Sequence, residues 1–518
     1  MNKRFLRVIC LVLSLTLLLG AAGCGGTEDV WSEWIETVEV PDETSSDVGA
    51  TDNGSTDTSS TDSTTEKPSK TEGTSSDNSG NKVTSSNKKP ASSKDTTASD
   101  KKESSNSSTT VIGDSINITA NGKSKYKIVV SLSNDGYDEG RLMQKVIKAT
   151  SNASVPLILD TETSKGPEII IGETTREASE KLMKKIGNNE YLIETEKNGN
   201  IVIVGATAYA LKLGVEYFLT TYLGYDKNAT QMGTGKEKSV PIALSVKKNI
   251  LDDYKLVWSD EFEGSTLDTD KWTLFPHMRE QTHLKVRDDE TAVKVENGSV
   301  NLISGRIDDE NYWTNASLTT SHTMVFKYGY VEMRAKVPFG RPAFPSFWMK
   351  SSSYEANEPL VTAEIDIFEH FCHTGDDYLQ TGIHKWYLDG TGDHYVGPQI
   401  GRFNFGSIDL AEQWHTYSML WTEESLNFMV DGKTYHTIDI TKTGDFGSRK
   451  DGMGAFHDYF FLIFNNYLHT SDGSEEGNKD EQNAKPSDEF PINYEIDYVR
   501  LYQLPGQGDI ANVKGIIG

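Results

Sequence analysis

The chain has 518 residues, with 51 Lys and Arg against 77 Asp and Glu, a formal charge of −26. At about 100–200 residues per domain, that length holds two to four units. The acidity excludes nucleic acid and an anionic membrane surface as partners, because either would need a basic patch. The three cysteines cannot build a disulfide framework. Composition is uneven: only 11 of the 50 aromatic residues precede position 252, and all 11 histidines follow it.

Residues 1–23 open with Lys3, Arg4 and Arg7, continue as an apolar run from Val8 to Leu19 and end in small residues. That order is expected of a secretory signal, and the run is too short to span a bilayer comfortably. Ala21-Ala22-Gly23-Cys24 resembles a bacterial lipobox, departing from the usual pattern at Ala21, where Leu is commoner. The resemblance implies lipidation at Cys24 and export to the outer face of the bacterial cell membrane. Cys10 then leaves with the signal, Cys372 stays free, and losing three positive charges takes the mature chain to −29.

Residues 24–110 read as a disordered tether. Within 41–110, 33 of 70 positions are Ser or Thr, and the apolar side chains are Val48, Ala50, Val83, Ala91 and Ala98. Such a segment buries too little surface to offset its ordering entropy. Trp31 and Trp34 precede it, suited to the headgroup level of a membrane.

Residues 111–250 read as a small α/β unit. Strands are expected at Tyr126–Ser131, Pro156–Asp160 and Ile169–Ile171, and a helix at Glu139–Ala149 through Leu142, Val146 and Ile147. Tyr191–Glu194 and Ile201–Val204 flank Asn198-Gly199, a hairpin signal. Ala208–Leu223 follows as an apolar-rich helix. Gly166 to Gly172 and the ending Tyr222-Leu223-Gly224 resemble the small domain that precedes catalytic barrels in hexosaminidase-like glycosidases. A spacer or docking role is expected, since the stretch holds no histidine and no evident carboxylate pair.

Residues 251–505 change period. Val331, Met333, Ala335 and Val337 alternate with Tyr330, Glu332, Arg334 and Lys336, and Leu426, Phe428 and Val430 alternate up to Asp431-Gly432. Many short strands with turn residues between them give an all-β sandwich of about 250 residues, followed by a tail at 506–518.

The candidate chemistry lies at Glu364-Ile365-Asp366-Ile367-Phe368-Glu369. On a regular strand Glu364 and Asp366 share a face and Glu369 falls on the other. One extra residue bulged between Asp366 and Glu369 brings all three to one side. The two glutamate Cα atoms then lie roughly 13 Å apart, at about 3.3 Å per step. Side chains leaning together close that to about 5–6 Å, against the ~5–5.5 Å a retaining glycosidase uses and the roughly 6.5–9.5 Å of an inverting one. Three clustered carboxylates cannot all ionise without strong repulsion, so one is free to attack while another keeps a proton.

In its surroundings this motif resembles glycoside hydrolase family 16, most closely the laminarinase-like branch. The resemblance runs through Trp258-Ser259-Asp260-Glu261-Phe262, Tyr328 to Pro338, Phe344 to Met349, Trp414 to Tyr417, Trp421-Thr422, Val430-Asp431-Gly432 and Ile496 to Tyr502. It implies a concanavalin-like jelly roll acting on a neutral polysaccharide, β-1,3- or mixed-linkage glucan. Residue by residue, it makes Glu364 the nucleophile, Glu369 the acid/base and Asp366 the group that tunes the pair. His384 matches a histidine near the acid/base, Trp348 a stacking platform and Asn465 an asparagine on the cleft floor.

The chain departs from the family pattern before the motif, where Glu358 to Ala363 carries no Trp, and in the segments Tyr387–Gly397 and Asp472–Asn483. Galactan and xylan-like chains therefore stay open as substrates, as do a transglycosylase and an inactive glycan-binding scaffold. The resemblance implies no cofactor for the chemistry and a structural calcium held by Asp497 and the Gly298 carbonyl. Glu369-His370-Phe371-Cys372-His373 has the residue types of a zinc site, but no second cluster follows at a usual spacing.

Overall fold

In the computed structural model, the described residues are 36–37 and 115–507, apart from 133–135, 230–236, 276–282, 341, 353–360, 372–377, 390–391, 396–398, 407, 409, 412, 442–452 and 470–482. The expected signal, Cys24, Trp31, Trp34, the Ser/Thr-rich tether and Cys372 lie outside them.

The alternating segments of the C-terminal half build two facing sheets. One runs in the order 399–404, 378–389, 361–369, 343–351, 460–468, 317–319 and 273–275, with Glu36–Thr37 beyond 399–404 and Gly392–Tyr395 paired to 378–389. The other runs 284–287, 312–315, 299–306, 492–503, 329–336, 415–421, 425–430 and 433–439. Between them the inward residues form one apolar core that includes Met333, Phe347, Ile365, Phe368, Trp421, Phe428, Phe464 and Ile496. This is the all-β sandwich expected from the period-two pattern, with the jelly-roll fold that the family resemblance implies. Within the Tyr387–Gly397 segment, unplaced by its sequence, the described strand 392–395 pairs antiparallel with the end of 378–389, Trp386 with Tyr395 and Asp389 with Gly392.

Within 115–249 the strand 115–119 pairs with 238–241, and the other described strands form a six-stranded mixed sheet in the order 157–159, 127–130, 168–171, 201–205, 190–195 and 245–249. Its first four strands are parallel. Ile169, Ile170, Ile171, Ile201, Val202 and Ile203 are buried, as the central strands of a sheet covered on both faces require. The first helix, Gly136–Ser151, starts three residues before its expected position and buries Met143, Val146 and Ile147. Thr207 caps the Ala208–Phe218 helix by accepting from the Ala210 N–H at 3.1 Å. The expected single helix to Leu223 instead widens to a π turn over Leu219–Leu223 and ends at Gly224, whose φ of 70° suits a residue without Cβ.

A boundary at 250/251 is expected from the sequence, but the packing crosses it. Tyr330, Leu420 and Met429, on the outer face of the sandwich, share one apolar cluster with Val215, Phe218 and Tyr254. Asn189 Nδ2 donates to Gly432 O at 3.1 Å across the same seam, and Lys212 pairs with Glu424. The described residues of 115–507, together with Glu36–Thr37, accordingly fall in one compact unit.

Candidate active site

The bulge forms at Ile367-Phe368. On one side Asp366 pairs with Gly382 and Glu369 with Gln380, so Ile367 and Phe368 together face the single residue Thr381. On the other side Phe347 pairs with Phe368 and Trp348 with Asp366, leaving Ile367 as the extra residue. Two consecutive apolar side chains explain the irregularity: Ile367 and Phe368 both bury in the core, with 1% and 0% exposure. Phe368 lies 4.6 Å from the Tyr417 ring, centroid to centroid. Keeping both inside turns Glu364, Asp366 and Glu369 to the same face.

That face is the cleft floor. The cross-strand partners of Glu364, Asp366 and Glu369 are Lys350, Trp348 and Ser346, so the two glutamates span four ladder positions. At about 3.3 Å per position, their Cα atoms stand roughly 13 Å apart. Asp366 is almost fully buried between them. Gly382 faces it across the ladder, where a Cβ would come within 2.6 Å of Ile400 Cγ2 and 2.7 Å of Gln399 O.

Charges are distributed unevenly over the three acids. Lys350 Nζ stands 3.3 Å from Glu364 Oε2, and it lies 5.8 Å and 4.8 Å from the ring centroids of Trp348 and Trp386. Burial, then the Glu364 charge, pushes the Asp366 carboxyl well above the usual carboxylate range, while Lys350 opposes the rise. Burial, then the charges of Asp366 and Glu364, also pushes Glu369 well above its ordinary value. The Gln380 amide donates to Glu369 Oε2 at 3.1 Å and acts in the other direction. The site thus sets acids whose hold on a proton is strengthened by burial beside a carboxylate ion-paired to Lys350, the pattern that separates a proton donor from a nucleophile.

His384 is the direct cross-strand partner of Glu364, and its Nε2 stands 3.1 Å from Asp366 Oδ2. It therefore sits at the middle carboxylate, under the pair. Trp348 stays partly exposed on the cleft face, and its Nε1 donates to Asn465 Oδ1 at 2.8 Å. Asn465 is itself buried, shares the ladder position of Ser346 and Glu369, and holds the indole from there.

The metal readings fare differently from the acids. His370, the candidate zinc ligand, accepts from Gly340 N–H through Nε2 at 3.2 Å and faces Tyr378 O through Nδ1 at 3.1 Å, so both nitrogens serve the backbone. Asp497 Oδ2 accepts from Arg334 Nη1 at 2.6 Å. A guanidinium on that carboxylate opposes a cation, so Asp497 with Gly298 does not fit the calcium expectation.

Reading the sequence missed Lys350, Gln380 and Trp386. Simple alternation would have found them, because Lys350 follows Trp348 by two and Gln380, Gly382, His384 and Trp386 share one strand face.

The family model described as the GH16 domain of β-porphyranases A–D matches residues 255–504. Residues 255–504, just under half of the chain, are thus similar to glycoside hydrolase family 16. The chain is 24% identical over 317 residues to the glucan endo-1,3-β-glucosidase A1 of Niallia circulans, covering 56% of this chain and 44% of that protein. It is 29% identical over 265 residues to the β-glucanase of Rhodothermus marinus, covering 48% and 85%. It is 25% identical over 282 residues to the keratan-sulfate endo-1,4-β-galactosidase of Sphingobacterium multivorum, covering 52% and 60%. The chain thus spans less than half of the Niallia protein. This likeness supports a glycosyl hydrolase, and the motif strand Val361–Glu369 lies inside the matched segment.

Proposed function

We propose that the chain is a retaining, endo-acting hydrolase of β-1,3- or mixed-linkage glucan, exported and anchored through lipidated Cys24 to the outer face of a bacterial cell membrane. The observation that carries this reading is the bulge at Ile367-Phe368, which sets Glu364 and Glu369 on one face with Asp366 between them. Glu364 attacks the anomeric carbon while Glu369 gives its proton to the glycosidic oxygen and the leaving sugar departs. Water then attacks the glycosyl–Glu364 ester, and Glu369 takes the water's proton, restoring both groups. Trp348 and Trp386 offer faces on which sugar rings stack. The two bacterial relatives named for glucan support the substrate, and the net charge of −26 suits a neutral chain better than a polyanion. The α/β region at 115–249 serves as a docking or spacer element behind the sandwich.

A galactan is the second reading. The matching family model is described by β-porphyranases, one relative is a keratan-sulfate galactosidase, and Lys350 places in the cleft a cation that a neutral glucan does not need. Incubation with laminarin, lichenan, porphyran and keratan sulfate decides between them. Reducing ends released only from the galactans overturn the glucan reading, and release from none overturns both. Proton NMR of the first product checks stereochemistry: an initial β-anomer is expected, and an initial α-anomer rules out retention.

A further inference from the structure

A bulge creates a problem for the backbone. Its extra residue leaves the ladder locally unpaired, and a buried carbonyl without a donor is destabilising. Here the carbonyls at risk belong to Asp366 and Ile367, beneath the candidate acids and inside the sandwich. Each is met by a side-chain hydroxyl. Thr381 Oγ1, fully buried and directly opposite the bulge, donates to Asp366 O at 2.7 Å. Tyr435 OH donates to Ile367 O at 3.3 Å.

Tyr435 reaches from the other sheet. It lies on the strand Lys433–Asp439 at the edge of the outer sheet. Its ring packs edge-on against Phe403 and Phe405, with centroids 5.1 Å away in both cases. The result is a polar strap across an otherwise apolar core, tying the bulge to Thr381 on the neighbouring strand and to Tyr435 on the opposite sheet.

We propose that Thr381 and Tyr435 are positioning residues, which hold the bulge in the one conformation that keeps Glu369 on the face of Glu364. The inference rests on the assignment of those two glutamates as the reacting pair. Without the strap, Ile367-Phe368 is free to relax toward a regular ladder, which would carry Glu369 away from the cleft. Neither hydroxyl touches substrate, so their loss acts on the chemical step and leaves binding to Trp348 and Trp386. A displacement of 1 Å in a reacting group costs about 100-fold in rate.

The test compares the full chain with Tyr435→Phe, Thr381→Val and the double variant, and with Thr381→Ser as the conservative control. Expected for the double variant is a fall in kcat of about 10- to 100-fold with KM within about threefold. Thr381→Ser should return to near the parental kcat. A second readout needs no turnover: amide hydrogen exchange of the peptide covering 366–369 should quicken at least about tenfold, one decade of opening equilibrium being about 1.4 kcal/mol. Parental kcat together with parental exchange overturns the proposal, as does an equal loss in Thr381→Ser. If the double variant does not fold, Tyr435→Phe alone is read by the same criteria. If the parent hydrolyses no glycan, the proposed function fails, and the exchange rates still decide whether the strap holds the bulge.

Discussion

Gln380 Nε2 donates to Glu369 Oε2 at 3.1 Å, while Gln380 Oε1 accepts from Arg402 Nε at 2.9 Å. The pair fixes the orientation of the candidate acid and also limits how tightly it holds its proton. Burial and the neighbouring acids push Glu369 up, and the amide, by stabilising the carboxylate, pulls it down. Gln380→Leu removes the downward pull, so Glu369 stays protonated to higher pH. The alkaline limb of kcat/KM should move to higher pH, as a pH–rate profile on laminarin will show. A limb that stays in place or moves down contradicts the assignment of Glu369 as the proton donor.

Removing the nucleophile should leave the fold and abolish turnover. Glu364→Ala is expected to lower kcat by about 10³-fold or more, equivalent to about 4 kcal/mol of barrier. With an activated aryl β-glycoside, added azide should restore the cleavage step and give the α-glycosyl azide, because the small anion attacks from the vacated side. Hydrolysis that survives the substitution, or an azide product of β configuration, removes Glu364 from that role.

Trp348 and Asn465 act as one element, the buried amide holding the indole. Trp348→Ala should raise KM about tenfold, near 1.4 kcal/mol of binding, with a smaller change in kcat. Asn465→Leu should reproduce part of that rise by freeing the ring. Steady-state kinetics on soluble β-glucan separate the two parameters.

Glu139, on the first helix, is pushed up to about 7 by burial, with Lys212 pulling it down and Glu216, Glu424 and Asp138 raising it further. Its folded value lies above the unfolded one, so the unfolded chain releases its proton first. Stability is then greatest below the ordinary glutamate range and falls as pH rises through about 7. Glu139→Gln should therefore stabilise the protein by about 1–2 kcal/mol at pH 8, the full effect being screened by partial exposure. The gain should vanish near pH 4. Thermal melts at the two pH values measure the difference.

Much of the site was legible because its constraint is local. Asp366 and Glu369 flank Ile367 and Phe368, and two adjacent apolar residues between two acids cannot satisfy strict alternation, so a bulge follows from four residues. The sandwich was legible for the same reason, as in the alternation from Tyr330 to Val337. Tyr435 and Asn465 were not legible in their present roles, since their partners lie 68 and 117 residues away. The Asp497–Arg334 pair that opposes a cation is another case, joining strands 163 residues apart. The π turn at Leu219–Leu223 escaped because helical periodicity does not distinguish a small change of pitch.

The seam formed by Tyr330, Leu420 and Met429 with Val215 and Phe218 bears on how such a protein is inherited and engineered. A fragment cut to the 255–504 match would carry an apolar scar on the outer sheet where its neighbour was removed. Grafting the hydrolase onto another scaffold therefore means moving residues 115–254 with it or repainting that scar with polar side chains. The smallest transferable piece of this chain is larger than the piece that does the chemistry.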